Sequence, residues 1–394
     1  MTSLIPLGAK TVTIEHQGAT KWPLFGEEED RAVLEVLHHG DLSCHPVTRE
    51  LEADYCRYFG RQYVLAHCNG TAALMAAFFA IDLKPGDEVI VPSATFWASV
   101  VPMLWFDAVP VFCESEPDRL GLDPEDVERK ITPRTRAIVV VHLWGMPSKM
   151  TELFEIARRH DLKIIEDSSH AHGAIWRGRP CGALGDISIF SLQTSKLAPA
   201  GEGGIFLTDD ADLYERAVCL GDMMRILELK SPARRFAGTT FGIKTRMAPL
   251  SAAVARVQLG KLKQHNQIRN ENTRRLSIKL ADLGLDPFLP PPHIERVYYE
   301  FLVRYDAERT GLSRELFVEA LRAEGCEVSL PRYPLLHQQP LFTEGHHKLV
   351  GVSLPATEAA NEKLIRFPVF TKPCPDLADQ YAAAVEKVIA KAVI

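Results

Sequence analysis

Lys196 ends the run Phe190-Ser191-Leu192-Gln193-Thr194-Ser195-Lys196 and precedes Gly201-Glu202-Gly203-Gly204. An amine just beyond a buried strand, bracketed by hydroxyls and a glycine-rich return, is placed to act as a nucleophile and form an imine with a carbonyl. A second aliphatic run, Ile164-Ile165-Glu166-Asp167, ends in a carboxylate and continues as Ser168-Ser169-His170-Ala171-His172-Gly173. The carboxyl ends of strands in open α/β sheets carry ligand contacts, and an acid there can keep a pyridine nitrogen protonated. The third phrase, Cys68-Asn69-Gly70-Thr71-Ala72-Ala73-Leu74, turns from a strand into a helix. The free backbone N–H groups of that helix start, with the Thr71 hydroxyl, form a phosphate seat. Each phrase alone also has a plainer reading: a solvated lysine, a helix-capping aspartate, an ordinary strand-to-helix turn. Together they put an amine, an acid and a phosphate seat at the strand ends of one sheet, with no G-x-G-x-x-G or Walker sequence competing.

The elements that must position these residues follow from periodicity. Short aliphatic runs read as strands at Tyr63–Cys68, Glu88–Pro92, Val109–Glu114, Ala137–Leu143, Leu162–Asp167, Asp186–Leu192 and Gly203–Leu207. Several are apolar on both faces, as strands buried between helix layers are. Thr71–Ile81, Phe96–Trp105 and Met150–His160 read as crossover helices, so the pattern predicts an open, mostly parallel α/β sheet of seven strands. Leu250–Leu280 reads as one long helix able to link two domains, followed by a proline-rich break at Pro287–Pro292. Beyond it a strand at Tyr298–Tyr305, a helix at Ser313–Glu324, the segment Cys326–Leu330 and a final helix from Asp376 make a smaller α+β unit.

The chain has 394 residues and a formal charge of −6, with 24% charged and 46% hydrophobic residues. These values exclude a disordered chain and weigh against a nucleic-acid-binding surface, and no basic stripe with interleaved aromatics is present. The eight cysteines form no C-x-x-C pair, so neither a zinc ribbon nor a thioredoxin-like redox motif is expected; no metal ligand is singled out, and the thiols are expected to be free, as in the cytoplasm. Pro6 and Gly8 interrupt the short apolar patch at the N-terminus, so no export signal is expected. The run Ala72–Ile81 falls short of the roughly 20 residues that cross a bilayer.

The order and spacing of several phrases resemble the DegT/DnrJ/EryC1/StrS aminotransferases, fold-type I pyridoxal phosphate (PLP) enzymes that aminate keto sugars and keto-cyclitols. They are Gly70-Thr71-Ala72-Ala73-Leu74, Pro85-Gly86-Asp87-Glu88-Val89-Ile90-Val91-Pro92, Glu166-Asp167, His172-Gly173, Gly185-Asp186, Phe190-Ser191, Lys196 and Gly201-Glu202-Gly203-Gly204. The likeness runs from Lys21-Trp22-Pro23 to Leu336-His337-Gln338-Gln339-Pro340. It implies a large cofactor domain over residues 1–260, with an N-terminal arm at 1–25, and a small α+β domain over 261–394. It further implies that Lys196 is both the imine-forming nucleophile and the proton shuttle, and that Asp167 pairs with the pyridine nitrogen. Gly70, Thr71 and Ser191 would hold the phosphate, Phe96 would lie against the ring, and His170 would stand near the phenolic oxygen, with His172 structural. Gln193 and His337 are candidate substrate residues.

One departure stands out. Relatives carry Asn-Tyr-Arg before the long helix, where this chain has Lys244-Thr245-Arg246-Met247. Lys244 then replaces an amide contact to the neighbouring subunit's phosphate with a charged one, or is a solvated loop lysine. The resemblance implies a homodimer with shared sites, cycling between PLP and pyridoxamine phosphate, L-glutamate or L-glutamine as donor, and a nucleotide-linked keto sugar or inosose-type cyclitol as acceptor. The alternatives are a PLP-dependent sugar dehydratase, against which Lys196 speaks, and a non-catalytic PLP-binding regulator, for which no DNA-binding segment is visible.

Overall fold

The computed structural model describes residues 9–14, 16, 18–241 and 243–392. All seven expected strands form, at Tyr63–His67, Glu88–Pro92, Val109–Cys113, Thr135–Val141, Lys163–Asp167, Ile187–Ser191 and Gly204–Thr208. Across the sheet they run Tyr63–His67, Gly204–Thr208, Ile187–Ser191, Lys163–Asp167, Thr135–Val141, Glu88–Pro92, Val109–Cys113. Only Gly204–Thr208 lies antiparallel to its two neighbours; the remaining pairings are parallel. Helices cover the sheet, which is why Glu88–Pro92 and Gly204–Thr208 are buried along their whole length. Gly70–Ala80 follows the first strand as a helix of almost wholly apolar sequence, capped by Asn69, whose side chain accepts from the Ala72 N–H at 2.8 Å.

Phe96–Trp105 does not form the expected crossover helix. The chain makes two 3-10 turns instead, Trp97–Ser99 and Val101–Phe106. Pro102 lacks the N–H that a continuous α-helix needs, and its ring opposes the carbonyl four residues back. Before the sheet stand two helices that periodicity did not single out, Glu27–His39 and Val47–Phe59.

The long helix spans Pro249–Asp282. Ala252, Leu259 and Leu262 pack into the core around the large sheet, while Leu276 and Leu280 belong to a second core with Phe301, Phe317 and Tyr381. The helix serves both, and the change-over expected at 260–261 falls within it. Its buried polar residues hold neighbouring carbonyls: Asn266 donates to His172 O at 2.7 Å and Asn272 to Lys372 O at 2.8 Å. In the smaller unit the expected strand Tyr298–Tyr305 is only Phe301–Arg304, paired antiparallel with Leu364–Phe367. Of Cys326–Leu330 only Ser329 joins a ladder, through a single bridge to Arg366. Residues 1–8, 15 and 17 of the N-terminal arm lie outside the described residues. In the rest, Thr11 donates to the Glu324 carboxylate at 2.6 Å, and the Trp22 indole donates to Lys196 O at 2.9 Å. All eight cysteines are unbridged, and no described helix is long and apolar enough to cross a membrane.

Candidate active site

A cavity of about 740 Å³ opens at the carboxyl ends of the parallel strands, where Val141, Asp167 and Ser191, each the last residue of its strand, form part of the wall. Gly70, Thr71, Phe96, His170, Gln193 and Lys196 also line it. The strand ends and one helix start thus bring together the amine, the acid and the seat that the sequence suggested.

Asp167 is buried, and its two carboxylate oxygens are steered by different partners. Ser99 Oγ donates to Oδ2 at 2.7 Å, and the Ser169 N–H donates to Oδ1 at 3.1 Å. Thr95 Oγ1 in turn lies 3.0 Å from Ser99 Oγ. These hydroxyls come from the segment that reads as an apolar helix, and nothing in the local spacing marks them as partners of Asp167.

Around Lys196 the geometry is aromatic. Its Nζ lies 4.3 Å from the centre of the Tyr299 ring, near enough for the ring face to attract an ammonium. Tyr299 stacks on His170 at 4.2 Å between centroids, and His170 is nearly parallel to Tyr333, 5.9 Å away. The Tyr299 hydroxyl lies 3.0 Å from Ser195 Oγ, which donates to Gln193 Oε1 at 2.7 Å. Burial pushes the Tyr299 phenol up, but the Lys196 charge and the hydrogen bonds to Ser195 and Tyr333 outweigh it and hold the phenol below its ordinary value. Burial drives Tyr333 the other way, far above the usual phenol range. His170 is held well below the ordinary imidazole value, first by burial and then by the positive charges of Lys196 and Arg332. It is therefore neutral.

At the other end, the start of the Gly70–Ala80 helix meets the end of the Ile187–Ser191 strand so closely that a Cβ on Gly70 would lie 2.8 Å from Ser191 Cβ. This contact brings free helix N–H groups and the Ser191 hydroxyl onto one spot. His172, read as structural, is buried beside Phe190 with Nε2 3.2 Å from the Tyr55 hydroxyl. Lys244 is exposed and lies outside the lining of its own chain's cavity. His337 is not brought to the cavity either. Its ring is buried, with Nδ1 2.7 Å from Ser93 Oγ and Nε2 2.9 Å from Glu358.

The donor set fits pyridoxal phosphate. A lysine, a carboxylate with two fixed partners and a helix N-terminus with a side-chain hydroxyl match the aldehyde, the pyridine nitrogen and the phosphate of that one cofactor. The profile of the DegT/DnrJ/EryC1/StrS aminotransferase family matches residues 23–386. The chain belongs to this family. It is a fold-type I, PLP-dependent aminotransferase.

Among individual relatives of this aminotransferase, a Streptoalloteichus tenebrarius protein is 36% identical over 335 residues, 82% of this chain and 79% of its own. It bears the provisional name L-glutamine:3-amino-2,3-dideoxy-scyllo-inosose aminotransferase. A Micromonospora echinospora protein of the same provisional name is also 36% identical, over 82% of this chain and 78% of its own. Of solved structures, DesV of S. venezuelae superposes with a TM-score of 0.79 at 33% identity, covering 93% of this chain and 94% of that one. The aminotransferase from Psychrobacter cryohalolentis gives a TM-score of 0.87 at 26% identity, over 95% and 99% of the two chains.

Proposed function

We propose that this aminotransferase transfers the amino group of L-glutamine or L-glutamate to the ketone of an inosose-type cyclitol or a nucleotide-linked keto sugar, working as a homodimer. The observation that carries the acceptor class is the 36% identity, across 82% of the chain, to relatives named for a scyllo-inosose substrate. Bound PLP supplies an aldehyde that captures amines and an electron-withdrawing pyridinium. Asp167, steered by Ser99 and Ser169, keeps that ring nitrogen protonated. Gly70, Thr71 and Ser191 take the phosphate, and Phe96, at the cavity wall, faces the ring.

Lys196 Nζ would be the attachment point for the cofactor, and as a free amine it is the base that holds the proton taken from the donor's α-carbon and returns it. The Tyr299 face, 4.3 Å from Nζ, steadies the protonated form. His170, neutral, would donate to the cofactor's phenolic oxygen, and Gln193 would face the substrate. The second half-reaction runs the same proton path in reverse, with the ketone as acceptor. Lys244 reaches the phosphate of the neighbouring subunit's site. His337, locked between Ser93 and Glu358, supports the cavity wall from behind.

The test is the visible spectrum of the holoenzyme during addition of L-glutamine or L-glutamate, then of keto-cyclitols and nucleotide-linked keto sugars. A donor is expected to bleach the cofactor band and one acceptor class to restore it. A band indifferent to every amino donor would favour a non-catalytic binder. Lys196→Ala is expected to lose the band of the lysine-bound cofactor, and turnover is expected to fall by roughly 10²–10⁴-fold or more.

A further inference from the structure

The cavity has two ends of different character. Gly70, Thr71 and Ser191 suit a phosphate at one; at the other, Arg332 is the one guanidinium among the described residues that line it. Arg332 also lines a second chamber of about 390 Å³, which meets the first across Gln193, Ser195 and Tyr299. Its terminal nitrogen comes within 3.5 Å of the Tyr299 hydroxyl, and the same tyrosine ring lies 4.3 Å from Lys196 Nζ. A guanidinium and the reacting amine therefore flank one side chain. Glu300 pairs with Arg332, yet the arginine side chain stays 44% exposed where the chambers meet. Arg366 and the buried Arg269 add two more guanidiniums to the second chamber, against the carboxylates of Glu300 and Glu327.

We propose that Arg332 binds the α-carboxylate of the amino donor, and that the second chamber receives the donor's polar side chain. The inference rests on the donor reading above. An amino acid carries its carboxylate on the carbon that bears the amine, so the group that binds it must stand beside the reacting nitrogen, as Arg332 does. A guanidinium–carboxylate pair also fixes orientation, aiming the α C–H at Lys196. The carbonyl carbon of a cyclitol or sugar ring bears no carboxylate. Arg332 thus separates two substrates that share one cavity.

The experiment compares L-glutamine with 4-aminobutanamide, the same molecule without its carboxylate, on wild-type and Arg332→Gln holoenzyme. It also reads the Kd of α-methyl-L-glutamine, which has no α-proton to lose, from the shift of the visible band. Arg332→Gln is expected to slow the glutamine half-reaction and raise that Kd by roughly 10- to 100-fold each, leaving 4-aminobutanamide unaffected. Arg332→Lys is expected to recover part of the loss. General damage to the fold would slow both amines alike, and a parallel loss overturns the proposal. So does an unchanged Kd, or a loss confined to the return half-reaction with a nucleotide-linked ketone, which would give Arg332 to the acceptor's phosphate. A wild-type band that ignores every amino donor would remove the donor reading itself, and the inference with it.

Discussion

One backbone hydrogen bond sets the tautomer of His170. The Trp144 N–H lies 3.3 Å from Nδ1 and donates to it, which leaves the ring proton on Nε2. Burial and the neighbouring positive charges keep the ring from gaining a second proton, so what His170 offers the cavity is a neutral N–H. An amide can offer the same. His170→Gln is therefore expected to keep most of the wild-type kcat/KM, and His170→Leu to lose roughly tenfold. The pH–rate profile of the wild type should show no limb from this histidine between about pH 5 and 8; a limb there that vanishes in His170→Gln would contradict the assignment. Asp167, Gly70 and Thr71 could be singled out in the sequence because each stands at a strand or helix end, and Lys196 because it lies in the turn just beyond a strand, where local pattern and chemistry coincide. Tyr299 and Arg332 were not, because they reach the cavity from beyond the long helix, and no local spacing records that approach.

The alternation of a strand gives the two acids of Glu166-Asp167 opposite tasks. Asp167 faces the cavity, whereas Glu166 points to the other side of the sheet. There it accepts from the N–H groups of Gly182 at 2.5 Å, Leu184 at 2.9 Å and Gly185 at 3.0 Å, and from Ser188 Oγ at 2.8 Å. His142 Nε2 adds a contact at 2.9 Å. The result ties the Lys163–Asp167 strand to the next loop and so holds Asp167 in place. Burial alone would raise this carboxyl, but His142 and the backbone donors bring it from 4.5 down to about 2. A folded value below the unfolded one gives stability that is present above about pH 4.5 and lost as the pH falls towards 2. Glu166→Gln is expected to cost on the order of 3 kcal/mol at neutral pH. The gap to the wild type in urea or thermal unfolding should shrink on acidification; a gap that stayed constant down to pH 3 would refute this role.

At the same scale, the strands were legible because apolar runs of that length have few other uses. The segment 96–105 was not, because its apolar spacing matches a helix and only Pro102 signals otherwise. A turn of this kind still brings Ser99 to Asp167, so the misread element is one that the site depends on.

At the scale of the whole molecule, the proposed homodimer bears on the aromatics left at the surface. Trp105 is 77% exposed and Phe241 45% exposed. Phe79 lies 5.1 Å from Phe241 and 6.3 Å from Phe106, the residue after Trp105. Trp97, on the cavity lining, is also 45% exposed, and exposed aromatics of this size mark a surface for interaction. Lys244 follows Phe241 on the same stretch of chain. If sites are shared, each draws Lys196 from one subunit and Lys244 from the other, and two dead variants can repair each other. Lys196→Ala abolishes its own subunit's site, and Lys244→Glu places a negative charge against the phosphate of its partner's site. Dimers of either variant alone should turn over little. Random reassortment of equal amounts gives hybrids in about half of the dimers, each with one intact site, so about a quarter of the wild-type specific activity should return. Sedimentation of the wild type should give twice 43.9 kDa. Full activity of Lys244→Glu on its own would place this lysine in solvent, and activity that fails to return on mixing would place each site within one chain.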